Sequence, residues 1–256
     1  MKVMKFGGTS VGSPDRMKNV ASLITESGDP TFVVLSAMSG TTNSLIEISN
    51  YLYKKNPDGA NEVINTLEKK YMQHVEELYS TDEYKEKTRE FLREEFKYMR
   101  SFTKDIFTSF EEKSIVAQGE IMSTNMVLNY LQEQGIKATL LSAFDFMRTD
   151  KNAEPDAQYI KEKLTAIMTE NEGYQIYITQ GFICLNAYGE IDNLQRGGSD
   201  FTASLIGVAL GAEEIQIWTD IDGMHNNDPR IVDETAPVRQ LHFEEAAELA
   251  YFGAKI

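Results

Sequence analysis

Five short apolar runs recur along the chain, Met1 to Phe6, Thr31 to Ser36, Ala138 to Ser142, Gln175 to Thr179 and Glu214 to Thr219, and helical apolar spacing fills most of the intervals between them. Strands that alternate with helices pair in parallel, through helical crossovers that cover the sheet. The pattern therefore predicts an α/β fold, an αβα sandwich around a mainly parallel central sheet. In such sheets ligands sit beyond the carboxyl ends of the strands. Gly7-Gly8, Ser36-Ala37-Met38-Ser39-Gly40, Gln180-Gly181 and Thr219-Asp220 fall there.

One stretch breaks the alternation. Between Gly59 and Gly119 there is neither glycine nor proline, charges are dense, and Ile64, Leu67, Tyr71, Val75 and Leu78 recur at helical spacing. This predicts a helical excursion around residues 60–118. Ser80-Thr81-Asp82 is expected to break and re-cap it. Phe91, Leu92, Phe96 and Met99, then Ile106, Phe107 and Phe110, supply later apolar stripes that are read as core-facing.

Two glycine loops carry the chemistry. After the first run, Gly7-Gly8-Thr9-Ser10 breaks the strand, and Ser13-Pro14-Asp15 caps a helix bearing Met17, Val20, Leu23 and Ile24. Glycine lets backbone approach a phosphate without a Cβ in the way, and Lys5 supplies a point charge at the strand end. The second loop is Gln195-Arg196-Gly197-Gly198-Ser199-Asp200, followed directly by an apolar run from Phe201 to Leu210. Ser199 and Asp200 read as N-cap and first-turn residues of an anion-binding helix start. An ordinary βα turn and a capped helix after a glycine turn are the plain alternatives. Neither G-x-x-x-x-G-K-[ST] nor G-x-G-x-x-G occurs, which argues against a P-loop and a dinucleotide-binding Rossmann domain.

At 256 residues and 41% hydrophobic content the chain can fill a sizeable core. A formal net charge of −15 leaves no basic stripe, so nucleic acid and anionic membranes are not expected as partners. Small anionic substrates remain open, with Lys5, Arg196, Arg230 and Lys255 as the cations for a cleft. The single cysteine, Cys184, lies in the apolar run Gly181 to Leu185, so no disulfide framework exists and a buried strand thiol is expected. His74, His225 and His242 are far apart and form no metal-ligand spacing, so no protein-caged metal is expected. With no apolar run long enough to span a membrane and no signal peptide, a soluble cytoplasmic protein is expected.

Four constellations at strand ends share one explanation: Lys5-Phe6-Gly7-Gly8-Thr9-Ser10-Val11, Ser36 to Asn43, Arg196-Gly197-Gly198-Ser199-Asp200, and Thr219-Asp220-Ile221-Asp222-Gly223 with Asn227-Asp228-Pro229-Arg230. Together they closely resemble the aspartokinases of the amino acid kinase family. Gln118-Gly119-Glu120, read as opening a helix, and Phe252-Gly253-Ala254-Lys255 also match, so the resemblance runs from residue 2 to the end.

The resemblance implies the amino acid kinase fold and ATP-dependent phosphorylation of the β-carboxylate of L-aspartate to 4-phospho-L-aspartate, the first step toward lysine, threonine and methionine. It implies an amino-acid-binding lobe over about residues 1–195 and part of a nucleotide-binding lobe over about 196–256. By resemblance, Lys5, Gly7, Gly8, Asp200 and Lys255 are catalytic, with Asp200 orienting the lysines. Arg196 holds the α-carboxylate, Glu120 pairs with the α-ammonium, and Ser36, Thr42 and Ser199 bind remaining oxygens. A first-turn glutamate is also favoured by the helix dipole alone. Lys5, Gly8, Ser10, Thr219, Asp220, Asp228, Arg230 and Lys255 match the ATP-binding positions, Asp228-Pro229 reading equally as a plain turn. Mg²⁺ would be held mainly by the nucleotide phosphates. A β-carboxylate is ionised at neutral pH, so its attack needs no general base.

Two places depart from the family pattern. Gln195 stands where glycine is usual, and His225-Asn226 where an aromatic and a small residue are usual. The resemblance also implies further chain beyond Ile256, completing the nucleotide lobe and adding ACT-type regulatory domains that support homo-oligomers. Weak activity without feedback inhibition is then expected of these residues alone. A kinase for another small acid, such as N-acetylglutamate, and a ligand-binding fragment without turnover are the alternatives. An N-acylated substrate has no ammonium for Glu120.

Overall fold

The computed structural model describes residues 1–104, 106–195, 197–228 and 231–252. They form two compact units, Met1–Trp218 and a smaller one from Thr219 onward.

The first unit runs β1 (Lys2–Phe6), α1 (Pro14–Thr25), β2 (Thr31–Leu35), α2 (Thr41–Tyr53), α3 (Pro57–Leu78), α4 (Asp82–Ser101), α5 (Ser109–Glu133), β3 (Ala138–Leu140), α6 (Ala143–Phe146), α7 (Ala157–Glu170), β4 (Ile176–Gln180), β5 (Ile183–Leu185), β6 (Ile191–Asn193), α8 (Gly198–Leu210) and β7 (Glu214–Trp218). All five expected strands are present, with ends shifted by a residue or two. They form one sheet in the order β3-β4-β2-β1-β7, and every pairing in it is parallel. The register sets Phe6 beside Leu35 and Trp218, and Leu35 beside Gln180, so four strands end along one line. The loops that leave β1, β2 and β4 at this line contribute to the site described below.

Alternate residues of each strand feed opposite faces of the sheet, as the period of two requires. Met4, Phe6, Val33, Leu35, Ile176 and Ile178 pack into one cluster with apolar residues of α1 to α5. Val3, Phe32, Val34 and Tyr177 pack into a second cluster with α6 to α8. Cys184 is buried in the antiparallel β5–β6 hairpin, and burial pushes its thiol up to about 12.

The helical excursion forms as α3 and α4. Ile64, Leu67, Tyr71, Val75 and Leu78 are buried along one face of α3, and Leu92, Phe96 and Met99 along one face of α4. The break between them falls at the expected residues, but Thr81 makes no side-chain cap. Its hydroxyl and the Ser80 and Thr81 amides donate instead to Glu133 Oε1 on α5. The expectation that Ile106, Phe107 and Phe110 face the core holds only for Phe107, which sits half-buried with its ring edge against Tyr53. Ile106 and Phe110 are 86% and 45% exposed. They lie in the connection before α5 and in its first turn, and the helix turns Ser114, Ile115, Val116 and Ala117 inward instead.

Gln118-Gly119-Glu120 does not open a helix. The helix opens ten residues earlier with a Thr108–Glu111 capping box, which leaves these three residues buried near the middle of α5. Gly119 is there for contact: a Cβ on it would stand 2.7 Å from Ala37 Cβ.

Within the second unit, Val238 N donates to Met224 O, and His225 bridges to Pro237. His225 is 8% exposed, with Nδ1 2.8 Å from Thr235 Oγ1 and Nε2 2.5 Å from Asp222 Oδ1. That contact holds the Asp222 carboxyl below its ordinary range. The last described element is the helix α9 (Phe243–Tyr251). No helix of the described residues is long and apolar enough to cross a membrane.

Candidate functional site

The loops after β1 and β2, the middle of α5 and the start of α8 enclose a cleft of about 400 Å³. Each wall is fixed by specific short contacts.

Gly8 brings the β1–α1 loop against the β2–α2 loop. A Cβ at Gly8 would meet Ala37 O at 2.7 Å, and Ser39 N donates to Gly8 O at 3.0 Å. A side chain at Gly8 would force the two loops apart. Ser10 N closes the first loop on Gly7 O, and Ser13 caps α1 through Arg16 N. The second loop turns into α2 through Gly40, whose φ of +82° suits glycine, with no side-chain cap. Thr41, the first residue of α2, is tied to the excursion by a 3.0 Å hydroxyl contact with Tyr71, and Lys70 Nζ donates to Ser39 O.

Helix α8 starts after Gly197, which has φ +79° and no side-chain cap. Ser199 is thus inside the helix and not at its cap; the chain reverses at the glycine, where a Cβ would be unfavourable. Placed so, Ser199 Oγ accepts from Ser36 Oγ at 3.0 Å, joining the helix start to the end of β2. Asp200 Oδ1 lies 2.7 Å from Lys5 Nζ, a pair whose lysine is nearly buried and whose carboxylate is half-exposed.

Glu120 enters from the opposite wall. It is 4% exposed, and Oε1 accepts from Ala37 N at 3.1 Å. Oε2 is shielded from solvent and has no partner. Burial pushes the carboxyl up to about 8, against the opposing pull of the Ala37 N–H. A buried carboxylate with one free oxygen is costly in isolation and is stabilised by any cation that reaches it. This environment differs from the helix-dipole setting that the sequence suggested, because Glu120 lies in mid-helix.

Lys5, Gly8, Ser36, Thr42, Glu120, Ser199 and Asp200 all line this one cleft. Gly7 and Ser10 belong to the loop behind Gly8. Thr219, Asp220 and Asp228 belong to the second unit, where Thr219 Oγ1 donates to Asp220 Oδ1 and Asp228 O accepts from Ile231 N and Val232 N. Arg196, Arg230 and Lys255 lie outside the described residues. Phe182 also lines the cleft, with φ +69° and its N–H donating to Thr202 Oγ1. No sequence signal marks it. Ser123, whose Oγ donates to Ser36 O at 2.8 Å, is also new, though its place three residues after Glu120 puts both on one helix face. Among the described residues no cluster of three or more His, Cys, Asp or Glu side chains could hold a metal ion.

Comparison with known proteins gives a consistent picture. The amino acid kinase family pattern matches residues 1–256. The chain is 34% identical over 259 residues to lysine-sensitive aspartokinase 3 of Escherichia coli (strain K12), covering 99% of this chain and 56% of that protein. It is 36% identical over 269 residues to the chloroplastic aspartokinase 1 of Arabidopsis thaliana, covering 99% and 46% respectively. The crystal structure of E. coli aspartokinase III in complex with aspartate and ADP superposes with a TM-score of 0.86 at 33% identity, over 99% of this chain and 57% of that one. The chain spans about half the length of the curated relatives it matches.

Proposed function

Because the chain belongs to the amino acid kinase family, we propose that it carries the catalytic part of an aspartate kinase, transferring the γ-phosphoryl group of ATP to the β-carboxylate of L-aspartate. The observation that carries the reading is Glu120 Oε2, buried and unpartnered in the cleft that Lys5 and Gly8 also line. A similar protein, E. coli aspartokinase III, has been crystallised with aspartate and ADP.

In this reading Glu120 receives the α-ammonium, Arg196 the α-carboxylate, and Ser36, Thr42 and Ser199 the remaining oxygens. Lys5 and the amides of Gly7 and Gly8 face the transferring phosphoryl group, with Lys255 as a further cation. Asp200 keeps Lys5 aimed, as their 2.7 Å pair allows. Ser10, Thr219, Asp220, Asp228 and Arg230 serve the nucleotide, so residues from about 196 onward contribute part of a nucleotide lobe and those before it the amino-acid lobe. A β-carboxylate oxygen attacks the γ-phosphorus, the bond to the bridging oxygen of ADP breaks, and no proton moves. Lys5 and the loop amides act by offsetting charge that builds up as two anions meet. In this reading Mg²⁺ would be carried by the nucleotide phosphates, since Asp200 is paired with Lys5 and the free Glu120 Oε2 is taken by the ammonium; when bound it would neutralise phosphate charge. Homo-oligomers of the intact protein, cytoplasmic residence and a role in making lysine, threonine and methionine belong to the same proposal.

Hydroxylamine trapping of acyl phosphate tests it. With Mg-ATP, L-aspartate is expected to give hydroxamate and N-acetyl-L-glutamate none. Hydroxamate from N-acetyl-L-glutamate alone would overturn the substrate assignment.

A further inference from the structure

Helix α5 holds the cleft by an arrangement that the substrate contacts do not explain. Glu120 Oε1 accepts from the N–H of Ala37 at 3.1 Å, and Ser123 Oγ donates to the C=O of Ser36 at 2.8 Å. Those two backbone groups belong to the same peptide unit. One turn of α5 therefore grips both polar edges of the Ser36–Ala37 peptide, while Gly119 brings the helix against Ala37 closely enough that a Cβ would stand 2.7 Å away.

The hydroxyl of Ser123 has one proton and two acceptors in reach, Ser36 O and its own helix carbonyl Glu120 O at 3.2 Å. Glu120 O is already served by Thr124 Oγ1 at 2.7 Å, and Gln180 Nε2 in turn donates to Thr124 Oγ1. The shorter and otherwise unserved acceptor is Ser36 O, so the proton goes there. Ser123 itself is fully buried.

We infer that Ser123 is a positioning residue for Glu120: by fixing the plane of the Ser36–Ala37 peptide it keeps the Ala37 N–H on Oε1 and leaves Oε2 as the oxygen presented to a ligand cation. Without the Ser123 bond the peptide can rotate, the N–H leaves Oε1, and the carboxylate loses both its orientation and the donor that favours its charged form. The same peptide carries the Ser36 side chain that reaches Ser199, so the clamp couples the Glu120 wall to the α8 wall.

The inference rests on the proposed role of Glu120 as an ammonium partner, and the test separates the two. Affinities for L-aspartate and for succinate, the analogue lacking the ammonium, are measured by calorimetry for wild type, Glu120→Gln, Ser123→Ala and Ser123→Cys, each checked for an intact thermal transition. Wild type is expected to favour aspartate, and Glu120→Gln to abolish the preference. Ser123→Ala is expected to cut the preference roughly tenfold, in line with loss of one buried hydrogen bond, with succinate affinity little changed and the pH midpoint of aspartate binding moved upward. Ser123→Cys, of similar size but a weaker donor, should fall between. If Ser123→Ala weakens both ligands equally, or neither, while Glu120→Gln abolishes the preference, the positioning role is overturned and the Glu120 reading stands. If wild type shows no preference, or Glu120→Gln keeps it, the Glu120 reading fails and the inference falls with it.

Discussion

The α5 wall and the α8 wall of the cleft handle charge in opposite ways. At α8, Lys5 and Asp200 neutralise each other at 2.7 Å, with the carboxylate half-exposed and the helix start shaped by glycine. At α5, Glu120 is buried in the middle of a long helix with one oxygen on a backbone amide and the other on nothing. A charge already paired near solvent sets a local field and needs no ligand. A buried, unpaired one keeps its charge only when a cation arrives. Under the proposed function, recognition of a cationic group falls to α5 and charge compensation to α8.

Lys5→Ala should give the largest effect, a loss in turnover of roughly 10²–10³-fold with aspartate affinity nearly kept, measured by the hydroxamate assay and by calorimetry. An equal loss in affinity would erase the division between the walls. Glu120→Gln should instead weaken aspartate binding roughly ten- to hundredfold, as loss of a charge-assisted buried bond does.

The pH dependence sharpens the contrast. Glu120 has its folded pKa raised from the ordinary 4.5 to about 8. Its favourable contribution to ligand-free stability is therefore fully present below pH 4.5 and is lost as pH rises through about 8. Denaturant titrations across that range should show this loss in wild type and not in Glu120→Gln.

Smaller effects come from the glycines. Gly119→Ala drives a Cβ to 2.7 Å from Ala37 and should cost about 1–3 kcal/mol of stability, as overpacking does. Gly197→Ala meets no atom within 4 Å and should cost about 1–2 kcal/mol from its left-handed backbone alone. Tyr71→Phe, which strips the buried Thr41 hydroxyl of its partner, should cost about 1 kcal/mol.

The scaffold of the site was legible because its signals are local. The strand-glycine-helix order put Lys5 and Gly8 at a sheet end, and Ser13 capped α1 where its spacing predicts. The electrostatics of Glu120 were not legible, for two reasons. Gly119 reads as a break, whereas here glycine serves helix-to-loop contact; and the Thr-x-x-Glu box at Thr108–Glu111 carries the true helix start. Burial of a side chain at mid-helix depends on what packs over it, here the loop after β2, whose Ala37 N–H reaches Glu120. The cap of α8 was misplaced by two residues for a related reason: Ser199 is a good cap by residue type, but Gly197 alone suits the left-handed turn.

The central claim is that Glu120 takes the ligand's ammonium group. The most direct test is proton release on L-aspartate binding at pH 7, obtained by calorimetry in buffers of different ionisation enthalpy. Free Glu120, raised to about 8, holds its proton at that pH, and pairing with the ammonium expels it. The account predicts release of up to about one proton in wild type and none in Glu120→Gln. Equal release in both proteins would contradict it.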